Sequence, residues 1–318
     1  MLLINRQEKD PYFNIAAEEY FLKSKDEEYI MIWQNNPSIV IGKHQNTIAE
    51  VNQRYALKNE IPIIRRISGG GTVYHDGGNI NFSFITKSDT KEKLVDFQKY
   101  TEPIIDFLSG YGLKAEFSGK NNLIVDGKKF SGNSAHVFKN RVIHHGTILF
   151  NSNLDNLERA ITPARFNITD KAVKSIRSTV TNLSDLIKGE IDIEKFRSEL
   201  IAYLKENLDI SEDYFLSEQD TFEIQNLIDS RYNTWEWNYG YSPSYTIENS
   251  WDDARISMEV TKGVITEVEF TGKLKGKALV SDLLVGLPIN KDSIENIFAS
   301  LGFSRKLQNQ YYSLLGLI

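Results

Sequence analysis

The residues best suited to chemistry run from position 65 to position 84: Arg-Arg-Ile-Ser-Gly-Gly-Gly-Thr-Val-Tyr-His-Asp-Gly-Gly-Asn-Ile-Asn-Phe-Ser-Phe. Two arginines close a short apolar strand over residues 61–64, and Gly69, Gly70 and Gly71 follow. Glycine has no Cβ, so such a loop can turn sharply and bring backbone N–H groups close to a ligand. Clustered N–H groups beside arginine make a concave site for an anion such as phosphate or carboxylate. Taken alone, the run also fits an ordinary glycine-rich hairpin loop.

A second candidate lies about 60 residues downstream, where Asp126-Gly127 precedes Lys128, Lys129, Phe130, Ser131 and Gly132. Alternation along a strand puts Lys128 and Lys129 on opposite faces, so only one can share a pocket with the glycine loop. Most lysines are solvated, and either of these could be. His144 and His145 face opposite ways for the same reason and do not form a joint metal site. His75-Asp76 reads equally as a catalytic pair or as a loop anchor. Ser68 lacks the nucleophile-elbow pattern. Neither a Walker loop nor the dinucleotide fingerprint is present, because the glycines lie between two strands.

These residues need elements to position them. Residues 2–5 read as a strand, and Asp10-Pro11 opens an amphipathic helix over 11–23 on the spacing of Phe13, Ala16, Ala17, Tyr20 and Phe21. Residues 29–33 and 38–41 predict a hairpin around Asn35-Asn36-Pro37. Thr47 with Glu50 predicts a capping box opening a helix over 48–58. A strand follows the glycine loop over 79–86, and helical spacing covers 90–111 with Pro103 inside it. Asp126-Gly127 and Lys139-Asn140 then mark tight turns, giving an antiparallel meander that excludes a regular βαβ layout.

Residues 153–161 predict a short helix. The polar stretch 162–180 carries Arg165, Lys171, Lys174 and Arg177 and reads as a lid without structure of its own. Helices are expected over 192–208 and 221–232, followed by an aromatic cluster at 235–240. From residue 246 two alternating strands flank Lys262-Gly263, and helices follow over 277–285, 292–301 and through 311–315. The expectation is an α+β protein with a large domain, residues 1–240, built on a mixed, mainly antiparallel sheet flanked by helices. A small α+β accessory domain would occupy residues 246–318.

At 318 residues, with 41% hydrophobic and 25% charged residues, the chain has the composition of a soluble globular protein. A net charge of −6 without a basic run argues against a nucleic-acid partner. No cysteine is present, which excludes disulfides, thiolate metal sites and cysteine nucleophiles. Without a signal-like N-terminus or an apolar run of about 20 residues, a cytoplasmic protein with no membrane partner is expected.

Together the motifs resemble the lipoate–protein ligase family. Its pattern Arg-Arg-x-Ser/Thr-Gly-Gly-Gly-x-Val-x-His-Asp-x-Gly-Asn is met at residues 65–79, Asp-Gly-Lys-Lys-x-Ser-Gly at 126–132, and His-His-Gly-Thr at 144–147. Ser175-Ile176-Arg177-Ser178 and the following Val180-Thr181-Asn182-Leu183 look like the family's adenylate-covering loop. The match spans about residues 1–240, and four motifs in one order make it specific. The resemblance implies a fold of the biotin/lipoate ligase type and a two-step reaction. The carboxylate of lipoate attacks the α-phosphate of ATP, giving lipoyl-adenylate and pyrophosphate. A lysine of a lipoyl domain, in a 2-oxoacid dehydrogenase E2 subunit or the glycine-cleavage H protein, then attacks the activated carbonyl and releases AMP.

Carried over residue by residue, the resemblance puts Arg66, Gly71, Thr72, Val73, Tyr74 and Arg177 on the nucleotide. It puts Lys129 between the acyl carbonyl and the phosphate as the catalytic residue. Ser68, Gly69, Gly70, His75, Trp33 and His145 fall to lipoate, with Ala16 as a further wall of the apolar pocket. Asn121 and Asn122 fall to Mg²⁺. The family commonly has Asn-Asp at that last place, and Asn offers a metal only a neutral carbonyl oxygen. The alternatives are an ATP-independent lipoyl or octanoyl transferase of the same superfamily, whose cysteine-nucleophile members this chain's composition rules out, and a non-catalytic lipoate-binding protein.

Overall fold

Residues 1–87, 95–163 and 167–315 are described by the computed structural model of the chain. It opens with β1 (Leu2–Asn5), followed by helix α1 (Pro11–Ser24), whose cap Asp10 accepts the N–H groups of Tyr12 and Phe13. Strands β2 (Tyr29–Trp33) and β3 (Ser38–Ile41) precede short helices α2 (Thr47–Glu50) and α3 (Gln53–Lys58). Strands β4 (Ile63–Arg65) and β5 (Val73–His75) bracket the glycine loop, and β6 (Asn79–Lys87) and α4 (Phe97–Ser109) follow. Next come β7 (Ala115–Ser118), β8 (Asn122–Val125), β9 (Lys128–Phe138) and β10 (Arg141–Leu149). Helix α5 (Leu154–Ala160), strand β11 (Asn167–Asp170), helix α6 (Ile193–Asn207), strand β12 (Glu212–Asp213) and helix α7 (Glu218–Leu227) lead to two π-helical turns, Ile228–Tyr232 and Glu236–Gly240. The C-terminal part holds β13 (Tyr245–Trp251), β14 (Ala254–Thr261), β15 (Val264–Thr271) and helices α8 (Lys277–Leu284), α9 (Lys291–Ser300) and α10 (Arg305–Leu315).

Among the described residues the strands form three sheets. The largest has the order β12-β1-β2-β6-β10-β9-β8-β7, parallel only at β12-β1-β2. Its antiparallel half is the expected meander, turned at Asp126 and Lys139, which both adopt positive φ. A three-stranded sheet, β4-β3-β5, carries the glycine loop between its outer strands. The third sheet is β11-β13-β14-β15.

Several expectations change. Strands β2 and β3 are not a hairpin: β2 pairs with β1 and β6, and β3 pairs with β4 and β5. The Asn-Asn-Pro loop crosses between sheets, because Asn35 turns inward to accept from Asn14 Nδ2 (3.1 Å) and to meet His75 Nδ1 (3.1 Å). Residues 48–58 are not one helix. Asn46 and Asn52 cap two short ones, with Val51 extended between them. Thr47 is not the cap, since its hydroxyl is taken by Asn238 O (2.6 Å) and Arg65 Nη2 (2.7 Å).

Helix α1 is not amphipathic, being buried on nearly all sides where it packs between the main sheet and α7. The helix expected over 90–111 runs from Phe97 to Ser109 under the cap Asp96, with Pro103 inside it; positions 95 and 96 are not helical, and 90–94 lie outside the described residues. The stretch 162–180 has structure of its own in β11, which pairs antiparallel with β13. Arg165 lies outside the described residues. The small sheet therefore takes an edge strand from well before residue 246. No helix among the described residues is long and apolar enough to cross a membrane.

Candidate functional site

Arg65 and Arg66 alternate on β4 and its exit, and they do different work. Arg65 is fully buried and faces away from the loop. Its guanidinium donates to the carbonyls of Gly42, Lys43, Gln45, Trp237 and Asn238 and to the hydroxyls of Thr47 and Ser242. Arg66 points into the loop, donating to Val40 O (3.1 Å), Ser68 Oγ (3.0 Å), Gly69 O (2.6 Å) and Gly71 O (2.8 Å). With two carbonyls drawn onto the cation and Gly70 at φ +86°, the N–H groups of Gly70 and Gly71 have no hydrogen-bond partner among the described residues. Only glycine adopts that φ readily. The result is a positive nest for an anion.

Lys129 faces this nest across two adjoining cavities of about 260 and 370 Å³. The register of β8 and β9 slips between Leu123 and Ile124, so Leu123 pairs with Ser131 and Ile124 with Lys129. A bulge of this kind re-aims side chains. Lys129 Nζ lies 2.9 Å from where a Cβ on Gly132 would be, so that glycine leaves room for the ammonium. The lysine backbone is clasped by residues 179–181: its N–H donates to Thr179 O (2.9 Å), and its carbonyl accepts from Thr181 N (3.0 Å). Burial, helped by Arg66, pushes the Lys129 pKa down. Lys128 is exposed.

Among the described residues the smaller cavity has three cations on its wall, Arg66, Lys129 and Lys174, and no carboxylate. Lys174 is paired with Asp170 (2.7 Å) and Arg66 is committed to the loop, so Lys129 is the cation most open to an incoming anion. Its floor is mostly apolar, with Ile15, Trp33 and Val40, and His75, Asn81 and His145 supply the polar atoms. The larger cavity holds Tyr74, Arg177, Asp155 and Glu158, and it shares Thr72, Val73 and Lys129 with the first.

Of the residues singled out in the sequence, Trp33, Arg66, Gly70, Gly71, His75, Asn121, Asn122 and His145 line the smaller cavity, and Tyr74 and Arg177 the larger. Ser68 and Gly69 line neither. Ser68 is fully buried between Arg66 and His145 Nε2 (2.6 Å), and Gly69 O is held by Arg66 and Ser134 (2.9 Å). Ala16 is likewise behind the wall. Asn121 commits its side-chain amide to the Asn133 carbonyl.

Sequence reasoning missed the groups that orient these residues. Glu18 accepts from Ser83 Oγ (2.5 Å) and bonds His145 Nδ1 (2.8 Å), while Trp33 Nε1 donates to Ser83 (3.2 Å). The signal for Glu18 was an acidic residue amid the apolar positions of α1. Gln45 joins three segments, its Oε1 accepting from Gly42 N (2.9 Å) and Thr72 Oγ1 (2.9 Å) and its Nε2 donating to Ser175 Oγ (3.0 Å). Ser175 Oγ also accepts Thr72 N–H (3.0 Å), so the segment carrying Arg177 lies over the glycine loop.

His75 gives a pH signature. Burial, Arg66 and His145 push its pKa down to about 3, against an ordinary value near 6.5. The unfolded chain therefore gains a proton at His75 below about pH 6.5 that the fold does not accept until about 3. Its contribution to stability is complete above that upper value and is lost as pH falls through the window, by up to ~1.4 kcal/mol per pH unit. Urea midpoints followed from pH 6.5 to 4.5 should fall less steeply in His75→Gln, and an unchanged slope would contradict this.

Comparison with known proteins gives a consistent picture. Residues 10–205 match the lipoyl protein ligase A/B catalytic domain. The chain is similar to the lipoate-protein ligase LplJ of Bacillus subtilis, at 39% identity over 97% of each chain. It is similar to a crystal structure of lipoate-protein ligase A bound with ATP, at 26% identity and a TM-score of 0.65, over 76% of this chain and 98% of that one. A bipartite lipoate protein ligase of Thermoplasma acidophilum, studied with its E2 lipoyl domain, matches at 25% identity and a TM-score of 0.64, over 76% of this chain and 96% of that one.

Proposed function

The chain belongs to the lipoyl protein ligase A/B family, and from that premise we propose that its two joined cavities activate lipoate with ATP and hand the lipoyl group to a lysine of a lipoyl domain. It is a lipoate–protein ligase. The observation that carries the mechanism is Lys129, among the described residues the one cation on the walls of both cavities. The acyl chain lies in the smaller cavity, against Trp33, His75 and His145, and the nucleotide in the larger, against Tyr74 and Arg177. Their junction falls at Thr72, Val73 and Lys129.

In the first step a carboxylate oxygen of lipoate attacks the α-phosphorus of ATP, and the bond to pyrophosphate breaks. Two anions must meet, and in a partly dry site like charges ~4 Å apart repel by about 4 kcal/mol. The Lys129 ammonium and the glycine-loop N–H groups offset that repulsion, and Arg66 holds the loop so that those groups face the substrate. In the second step the carrier's lysine amine attacks the carbonyl carbon, the bond to AMP breaks and the amine loses its proton. Deprotonating an ordinary lysine at pH 7 costs about 4.6 kcal/mol, and the nearby Lys129 cation lowers that cost. No separate general base is required.

Among the described residues no three acidic or histidine side chains converge on a metal site. Mg²⁺ would be held by phosphate oxygens of the nucleotide, with Asn122 a neutral donor at the cavity wall. Bound there, it would screen the leaving pyrophosphate. The acceptors proposed are the lipoyl domains of 2-oxoacid dehydrogenase E2 subunits and the glycine-cleavage H protein, in the cytoplasm. The large and small domains are proposed as residues 1–240 and 246–318, with β11 bridging them.

The first step is tested by ATP–pyrophosphate exchange, which should require lipoate and no acceptor. Exchange that ignores lipoate would sink the proposal. Gly132→Ala is expected to push Lys129 Nζ off its position, since the obstacle is the tip of a flexible side chain. Exchange should fall by about tenfold with little change in thermal midpoint. Unchanged exchange would mean that the ammonium's position is not critical.

A further inference from the structure

Strand β9 changes neighbours halfway along its length. β10 pairs with it over residues 133–138, whereas β8 pairs with it only over residues 128–132. Asn121 closes that shorter ladder: its carbonyl accepts the Asn133 N–H (2.9 Å), and its side-chain amide donates to the Asn133 carbonyl. Both backbone groups of Asn133 therefore point to the β8 side. Backbone direction alternates along a strand, so those of Ala135 and Val137 point the same way. The hairpin gives the same answer independently. Lys139 and Asn140 form a two-residue turn, which makes Phe138 and Arg141 a hydrogen-bonded pair, then His136 and Ile143, and leaves Val137 and Ala135 facing outward. Among the described residues the N–H and C=O groups of Ala135 and Val137 have no partner on that side. Val137 is 38% exposed, so the edge is open to an incoming chain.

This edge leads to the reacting centre. It lies in line with β8, so a strand added along it ends against Asn121 and Asn122, both on the wall of the smaller cavity. Cross-strand neighbours share a face. A residue of the added strand opposite Ser134 thus puts its side chain on the face of Ser134, another residue of that wall. Gly132, against which the Lys129 ammonium lies, is two residues or about 7 Å further along. The four-carbon stem of a lysine spans that distance. Cations flank the same stretch. Lys23 Nζ and Lys139 Nζ lie over the Phe138 ring, 5.2 and 5.1 Å from its centroid. Burial, Lys43 and Lys23 push the pKa of His136 down to about 4. The Glu19 carboxylate in this cluster is taken by Lys23, Arg231 and Tyr232. An acidic segment is the complement of such a border.

We propose that the edge at Ala135 and Val137 receives an extended segment of the acceptor protein, one carrying the acceptor lysine with carboxylates beside it, as an added strand of the main sheet. This rests on the ligase reading above and assigns the surface on which its second step takes place. Main-chain hydrogen bonds hold the segment and set its register, and the register delivers the amine toward Lys129. Activation of lipoate, which involves no acceptor, does not use this edge.

Two measurements on the full-length chain test it. The first follows amide hydrogen–deuterium exchange at Ala135 and Val137 by NMR, with and without an apo lipoyl domain. Both amides should exchange freely in the chain alone and slow by about tenfold or more when the domain is added. The second uses Val137→Pro, which removes one outward N–H at an edge position, where proline is tolerated. Its lipoate-dependent ATP–pyrophosphate exchange should stay within about twofold of the parent. Capture of its lipoyl-adenylate by hydroxylamine, a nucleophile that needs no strand, should be equally unaffected. Transfer to the lipoyl domain should fall about tenfold, as expected for one lost hydrogen bond. Unaltered transfer in a folded Val137→Pro overturns the proposal. If that variant does not fold, the parent's amides decide: lipoylation of the domain with both left unprotected overturns the proposal and leaves the ligase reading intact. Protection of both without lipoylation sinks the ligase reading and leaves this surface standing.

Discussion

Lys129→Ala should lower lipoate-dependent ATP–pyrophosphate exchange by about a thousandfold, the scale expected for removing the charge that stabilises a developing anion. Lys128→Ala should stay within about twofold, as most exposed substitutions do. The contrast follows from where the strand places the two ammonium groups. Lys128 is in solvent, whereas Lys129 stands in a cavity whose described wall also holds Arg66 and Lys174 and no carboxylate. Stability should separate from activity. The Lys129 ammonium is held below its ordinary pKa by burial and Arg66, so deleting it removes an unfavourable charge and leaves the thermal midpoint level or higher. Equal losses of exchange in the two variants would contradict the assignment of faces.

Arg65→Met should behave in the opposite way, losing about 4 kcal/mol of stability. Its guanidinium is fully buried and serves seven acceptors drawn from residues 42–47 and 237–242. The replacement fills similar volume but leaves buried carbonyls and hydroxyls without donors, at about 1–3 kcal/mol for each one that finds no water. In a protein of this size such a loss lowers the melting midpoint by roughly 6 °C. Arg66→Met also removes a buried cation, yet its bonds end in the glycine loop, so its larger effect should fall on exchange. An Arg65→Met melting point within a degree or two of the parent would show that the hub is dispensable.

The contrast between the two arginines also shows what a sequence reveals. Adjacent in a strand, they had to face opposite ways, but only the fold shows that Arg65 serves structure. The antiparallel meander was legible because Asp126-Gly127 and Lys139-Asn140 are local turn signals whose conformations need no tertiary help. The crossing at Asn35-Asn36-Pro37 was not legible. A hairpin and a passage between sheets use the same turn residues, and the difference lies in Asn14 and His75, which reach the loop from elsewhere. The capping box at Thr47 failed for a similar reason, its hydroxyl being claimed by Arg65 and Asn238.

Among the site residues, the glycine loop, Lys129 and His145 stood out through contiguous motifs. The partners that hold them, Glu18, Gln45 and Ser83, are single residues in ordinary surroundings and come together only through pairing of distant strands. The bulge opposite Leu123 that brings Lys129 over Gly132 has no marker in the sequence. Strand β11 was hidden because its partner, β13, lies some 75 residues away, so a stretch that reads locally as a polar lid is the edge of a second sheet.

The most direct test of the central claim is the mass of an acceptor. The full-length chain, lipoate, Mg²⁺ and an apo lipoyl domain are incubated with and without ATP, and the domain is weighed by mass spectrometry. The account predicts a gain of one lipoyl group only when ATP is present, lost when the domain's acceptor lysine is replaced. A gain without ATP would contradict activation at the joined cavities and favour direct acyl transfer, and no gain under either condition would contradict ligase activity itself.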